Sequence, residues 1–394
     1  MYNHSMKFDM VVIGGGLVGA SLVAALKNSG LRIALIESRE PSPIPDDSSW
    51  DSRVYAISPG SVAFLHDHAI WQRMELSRVA PVYDMAVFGD DSSSCIHFSA
   101  YEIGVSELAC IVENRQLQTA VWTAIQPQND NLEIICPTRC TAISWHESHA
   151  EIQLEDGRQI DAALVVGADG VNSWVRQQAD IEVNRHPYQQ IGVVANFNTR
   201  LSHRHVAHQW FRRDGVMALL PLPGNRVSMV WSTDEEHAAE LRALSADQLC
   251  QHVETAASHT LGELQLITPA TGFPLNFVHV SNLVKPRLVL VGDAAHGIHP
   301  LAGQGVNLGL RDVRKLAEIL NDRGLQSDIG DFILLRRYEC ARKEDILALE
   351  LVTDSLQKLF INPDPTLARL RNLGLEITDR LPLIKNRLMQ HALS

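Results

Sequence analysis

The chain has 394 residues, 45% hydrophobic and 20% charged, enough apolar material for two domains or for one domain with a large insertion. Its formal net charge of −12 excludes general affinity for nucleic acid, which requires a basic surface. Six cysteines without a CxxC pair argue against a zinc site or a disulfide framework, and no run approaches the ~18 apolar residues of a membrane span.

The opening residues MYNHSMKFDMVVIGGG contain no signal-peptide pattern, so a cytoplasmic protein is expected. Phe8–Ile13 is an apolar run followed by glycines, Leu17–Asn28 has helical spacing ended by Gly30, and Arg32–Glu37 is a second strand. This βαβ unit implies a parallel sheet. The segment PSPIPDDSSWDS (41–52) is a loop, and helical patterns resume at Ser58–Arg73 and Asn114–Ala124. Glu151–Leu154 and Gln159–Val166 flank an Asp156-Gly157 turn as a hairpin.

Between 181 and 280 the pattern alternates as in strands. In HQWFRRDGVMALLPLPGNRVSMVWS, three apolar runs are separated by Asp214-Gly215 and by Pro223-Gly224-Asn225. An antiparallel sheet is expected there, inserted into a discontinuous nucleotide-binding domain formed by 1–180 and 281–394. Leu288–Val291 is one more buried strand, and the remainder is helical. The fold class is therefore α/β: a Rossmann-like domain, an inserted antiparallel β-sheet domain and a helical C-terminus.

Gly14, Gly16 and Gly19 form GxGxxG between a strand and a helix, and Glu37 ends the next strand 23 residues after Gly14. Glycines there allow a tight turn and close approach of the backbone to a pyrophosphate, and the acid suits a ribose hydroxyl. Dinucleotide binding follows, with FAD and NAD left undistinguished. A second cluster, GADGVNSWVR (167–176), also follows a strand; Asp169 there is a ligand contact, or else Asp169 or Asn172 simply caps the next helix. The third cluster, GDAAHGIHPLAGQGVNLG (292–309), places Asp293 at a strand end and opens a helix near Gly305–Asn307, whose free N–H groups suit an anionic ring. His296 and His299 lack the partners of a metal site, so no metal is expected.

Taken in this order, the three clusters resemble those of the flavoprotein aromatic hydroxylases of the p-hydroxybenzoate hydroxylase type, along the whole chain. DSRVYAIS (51–58), HPLAGQGVNLGLRDV (299–313) and LRNLGLEITDRLPLIKNRLMQHAL (370–393) resemble the branch that hydroxylates polyprenyl phenols in ubiquinone biosynthesis. The resemblance implies FAD as cofactor, NAD(P)H and O2 as co-substrates, and transfer of OH from a flavin C4a-hydroperoxide to an electron-rich ring. It also implies that Gly14, Gly16, Leu17, Val18 and Gly19 hold the pyrophosphate and that Glu37, beside Ser38, holds the ribose. Arg53 and Arg115 would contact the phosphate and ribityl side, Asp169 the groove shared with the nicotinamide donor, and Asp293 the ribityl chain. Pro300 and Gly303, Gln304, Gly305, Val306 and Asn307 would line the isoalloxazine.

No catalytic nucleophile or base stands out; His296, His299 and Pro300 are the nearest candidates to the ring. Trp210, Met217, Leu219, Met229 and Trp231 alternate along the expected sheet and form a substrate wall or, alternatively, its core. Residues 367–394 carry five basic and two acidic side chains on an amphipathic pattern, which suits peripheral contact with an inner-membrane surface, with other ubiquinone-biosynthesis proteins, or with the domain itself. A disulfide reductase would need a second GxGxxG and a redox CxxC, and a flavin halogenase a WxWxIP stretch; neither pattern is present. A flavin-dependent prenyl-chain reductase and a non-catalytic prenyl-binding scaffold remain as alternatives.

Overall fold

The structure, a computed structural model, describes residues 6–45, 49–89, 95–126, 131–297, 304–324 and 327–361, with the side chains of 352, 354 and 356–361 left aside. Four buried runs rich in Val, Ile and Leu make its parallel core. Leu288–Leu290, Gln159–Gly167, Met6–Ile13 and Ile33–Ile36 lie side by side in that order, and Leu132–Ile135 follows on the far side of Ile33–Ile36. Strands covered on both faces read as continuous apolar runs, as Met10–Ile13 and Ile33–Ile36 do. The expected hairpin is present as Ala150–Leu154 and Gln159–Gly167, turning at Gly157.

Register decides what happens at the C-terminal edge. Ile13 pairs with Gly167 and with Ile36, and Gly167 pairs with Leu290. The turns that follow these strands therefore leave the sheet at the same level, the place where open α/β sheets bind ligands. Helices Leu17–Leu26 and Gly305–Asn321 pack together above that edge, where Gly309 lets Val18 approach so closely that a Cβ would stand 2.6 Å from its methyl. The long helix Phe332–Ile361 lies behind, its Tyr338 hydroxyl donating to the Leu290 carbonyl at 3.1 Å.

The second sheet runs in the order His296–Gly297, Thr271–Val280, Val183–Thr199, Arg226–Asp234, Gly215–Leu222, Val206–Arg212, Asp84–Phe88, Cys95–Ser99. It reaches beyond 181–280, because Asp84–Phe88, Cys95–Ser99 and His296–Gly297 all join it. It is mixed rather than antiparallel, since Asp84–Phe88 runs parallel to Val206–Arg212. Nor is 181–280 all strand. Glu235–Ala243 and Ala246–Ala256 are helices, the second opened by a Ser245/Gln248 capping box, and both cover one face of the sheet. A small third sheet, Val54–Ile57, Ala109–Glu113 and Ala80–Val82, closes the gap between the two large ones.

Candidate active site

Gly14 has φ +107°, and a Cβ there would collide with the Ala168 carbonyl oxygen and approach the Asp169 nitrogen to 2.8 Å. The first glycine turn is thus pressed directly on the second cluster. Gly16, by contrast, has no atom of another described residue within 4 Å of a Cβ position, and it caps helix Leu17–Leu26. Glu37 stands at this turn, accepting from the Gly15 N–H at 2.6 Å and from the Ser38 hydroxyl at 3.1 Å. Gly292 lies against Val18, so the third cluster meets the first as well.

The N-cap of helix Trp174–Gln178 is Ser173, whose hydroxyl accepts from the Arg176 N–H at 3.0 Å, and Asp169 supports the same first turn. Its Oδ2 accepts from the Trp174 and Val175 N–H groups at 2.7 and 3.0 Å, while Oδ1 is buried with no partner among the described residues. Arg176, which sequence reasoning passed over inside GADGVNSWVR, ties this turn to the third. It is buried and donates to the Ala294 carbonyl at 2.8 Å and the Val171 carbonyl at 3.0 Å. Asp293 has open surface towards the cavity but is otherwise enclosed by protein. That enclosure raises its pKa above the ordinary carboxylate value, and the charges of His296 and Arg53 temper the rise.

Near Asp293 lies a buried ionic cluster whose members no local pattern connects. Asp312 accepts from the Gly292 N–H at 2.9 Å, from His296 Nε2 at 2.6 Å and from Arg342 Nε at 2.8 Å. Burial opposes the His296 charge, but the Asp312 carboxylate outweighs it, so the His296 pKa is raised; that of Asp312 is lowered despite burial, held down by His296 and Arg342. His296 therefore braces the Gly292–Ala294 turn through Asp312. Asp312 sits within a quoted motif, yet Arg342 is 30 residues further on, a separation that no local pattern spans.

Between the two large sheets lies a cavity of about 590 Å³. Arg53, Asp293 and the helix start Gln304–Asn307 line one side of it, and Gln304 Oε1 there is buried without a partner among the described residues. Asn307 presents its backbone to the cavity; its side chain accepts from the Ser58 N–H at 2.9 Å and donates to the Ala56 carbonyl at 2.8 Å, stapling strand Val54–Ile57. Arg115 is not among the described residues lining the cavity: its guanidinium bonds Ser49 and Glu113, while its backbone N–H donates to Asp51 at 3.1 Å. His299, Pro300, Gly303 and the segment 367–394 lie outside the described residues.

The opposite side of the cavity corrects the expected substrate wall. Trp210, Met217, Leu219, Met229 and Trp231 point to the other face of the sheet, buried against Ala238, Leu241, Leu249 and Val253 of the covering helices. Their alternate neighbours Gln209, Val216, Ala218, Leu220, Val230 and Ser232 face the cavity. A period of two separates the faces but does not name which one a helix will cover.

Three glycine turns at one sheet edge, a Gly16 that no other described residue crowds and a recessed acid at a deep cavity fit a long dinucleotide whose flat ring lies against the Gly305 helix start. That is the arrangement of a flavoprotein. The profile of the FAD binding domain family matches residues 7–344. The chain is similar to 3-demethoxyubiquinol 3-hydroxylase of Escherichia coli (strain K12), 35% identical over 388 residues that cover 98% of each chain. It is 34% identical over 386 residues to ubiquinone hydroxylase UbiL of Rhodospirillum rubrum, covering 98% of this chain and 89% of that one. In fold it is similar to p-nitrophenol 4-monooxygenase PnpA from Pseudomonas putida, with a TM-score of 0.78, 16% identity and 99% of each chain covered. The chain belongs to the FAD-dependent monooxygenases of the FAD binding domain family. Within them it belongs to the ubiquinone-biosynthesis hydroxylases.

Proposed function

We propose that the protein hydroxylates the ring of a phenol or quinol precursor of ubiquinone that carries a polyprenyl tail. In this reading the Gly14–Gly19 turn holds the FAD pyrophosphate at a helix N-terminus, Glu37 the ribose, Asp293 the ribityl chain, and the Gln304–Asn307 backbone the ring. FAD, reduced by NAD(P)H and reacting with O2, supplies the activated oxygen. This chain's own residues position and exclude. The first N–H groups of helix Gly305–Asn321 provide positive potential where the ring gathers negative charge. The apolar sheet wall keeps water from the reacting centre. Tyr55, raised to about 12 by burial although Arg53 opposes the shift, stays protonated and donates to Asn114.

The observation that carries the proposal is the cavity itself. Among the described residues its sheet side bears no charged side chain, and Val82, Met85, Phe98, Leu108 and Ile111 extend it as an apolar compartment suited to a prenyl tail. The basic segment 367–394 is the part of the chain suited to contact with a membrane surface or with other proteins of the pathway.

The test is incubation of FAD-loaded protein with a prenylated phenol, NAD(P)H and ¹⁸O₂. One labelled oxygen in the ring is expected. Loss of a tail double bond without label would establish a prenyl reductase instead, and protein that cannot be loaded with FAD a scaffold. Quinone intermediates accumulating in a strain lacking the gene would identify the ring carbon.

A further inference from the structure

One rung of the second sheet crosses five strands: Val87 pairs with Gln209, Gln209 with Ala218, Ala218 with Val230, and Val230 with Val194, the last four of these residues lining the cavity. Four of these five residues are aliphatic and the fifth is an amide. Gln209 is 6% exposed, lines the cavity, and its side chain makes no hydrogen bond to any described residue. Set in the cavity wall, its amide offers two donors and an acceptor to whatever enters, and a ligand that displaces solvent there without meeting them binds less well. On the next rung Ser232, 4% exposed, adds a hydroxyl to the same wall, opposite Val216.

Charge narrows what the amide meets. Among the described residues, the charged ones lining the cavity are Arg53 and Asp293, and both stand on the side assigned to the cofactor. Among the described residues, the sheet side has no cation to pair with a ring carboxylate and no anion to hold an amine. A neutral ring bearing hydroxyl or ether oxygens is what an amide in an aliphatic wall can distinguish from a bare hydrocarbon.

We propose that Gln209 is a specificity-determining residue: its N–H donates to an oxygen substituent of a neutral aromatic substrate ring, and its carbonyl accepts from a ring hydroxyl. The proposal rests on the hydroxylase reading and adds the residue that recognises the ring. The amide reads the ring oxygens, while the surrounding aliphatic groups accept any apolar extension.

The experiment titrates FAD-loaded protein with 4-pentylphenol and with pentylbenzene, following the flavin absorbance, in the wild type and in Gln209→Leu and Gln209→Met. Wild type should bind the phenol about tenfold more tightly than the hydrocarbon, the range expected for a hydrogen bond to a neutral partner in a buried site. Both variants should lose most of that ratio, chiefly by weaker phenol binding, with flavin content kept and the ligand-free melting temperature unchanged or raised. A ratio retained in both variants would overturn the proposal, and so would a fall in melting temperature in both with the ratio intact, which would make the amide structural. If wild type shows no preference, the proposal also fails. Whether the hydroxylase reading fails with it is decided by ¹⁸O transfer to the phenol in the same samples.

Discussion

Asp312 is an acid in the middle of a helix, fully buried, and it serves three donors on three segments: the Gly292 N–H, His296 and Arg342. A carboxylate so placed is stable only as long as its cations remain, and removing one member of such a cluster leaves the others charged and unpaired. Asp312→Asn should therefore cost about 3–5 kcal/mol in denaturant unfolding. The pH dependence has a definite sign. His296 is raised in the fold, so its contribution is complete below its unfolded value near 6.5 and fades as pH rises through the folded value. Asp312 is lowered, so its contribution is present above the ordinary carboxylate range and lost as pH falls. Asp293, Arg342 and the more distant Glu350 share the field around this pair. Melting temperatures measured from pH 6.5 upward should decline in wild type more steeply than in Asp312→Asn; parallel curves would refute the assignment.

At the scale of an element, the first glycine turn separates two jobs that its motif merges. Gly14 is needed by the fold, because φ +107° disfavours any side chain and a Cβ would strike the Ala168 carbonyl. Gly16 has φ −64°, which any residue adopts, and no atom of another described residue near its Cβ position. Gly14→Ala should lower stability by at least about 2 kcal/mol, the order of a strained backbone site. Gly16→Val should leave the apoprotein within about 1 kcal/mol of wild type, since only backbone propensity changes. It should nonetheless weaken FAD binding by tenfold or more, read as flavin fluorescence released on dilution, because the new side chain fills the space left for the pyrophosphate. Equal flavin retention in Gly16→Val and wild type would place the cofactor elsewhere.

For the whole molecule, the second sheet has two faces with different duties. Trp231 is fully buried beneath the covering helices, whereas Ala218, on the neighbouring strand, lines the cavity. Trp231→Ala should cost about 3–5 kcal/mol without altering the preference between substrates. Ala218→Leu should stay within about 1 kcal/mol of wild-type stability, since its side chain enters open space, yet abolish binding of a prenylated phenol. Denaturant unfolding and ligand titration of the two variants check this reversal; binding lost in Trp231→Ala and kept in Ala218→Leu would mean that the faces had been exchanged.

How far the molecule was legible follows the range of the interactions. The βαβ unit, the Asp156-Gly157 hairpin and the helix start at Gly305 are specified by neighbours within a few residues, by apolar period, turn residues and glycines, and these were readable along the chain. The three glycine clusters could be read too, and so could the class of cofactor that they serve, because each cluster is local. What folding alone decided was which partners meet across long separations. Asp84–Phe88 joins the second sheet by pairing with Val206–Arg212, Arg342 reaches Asp312, and the two helices within 181–280 cover the face bearing Trp231, turning Gln209 to the cavity. A strand's alternation is symmetric between its two faces, and only the packing of distant helices breaks that symmetry.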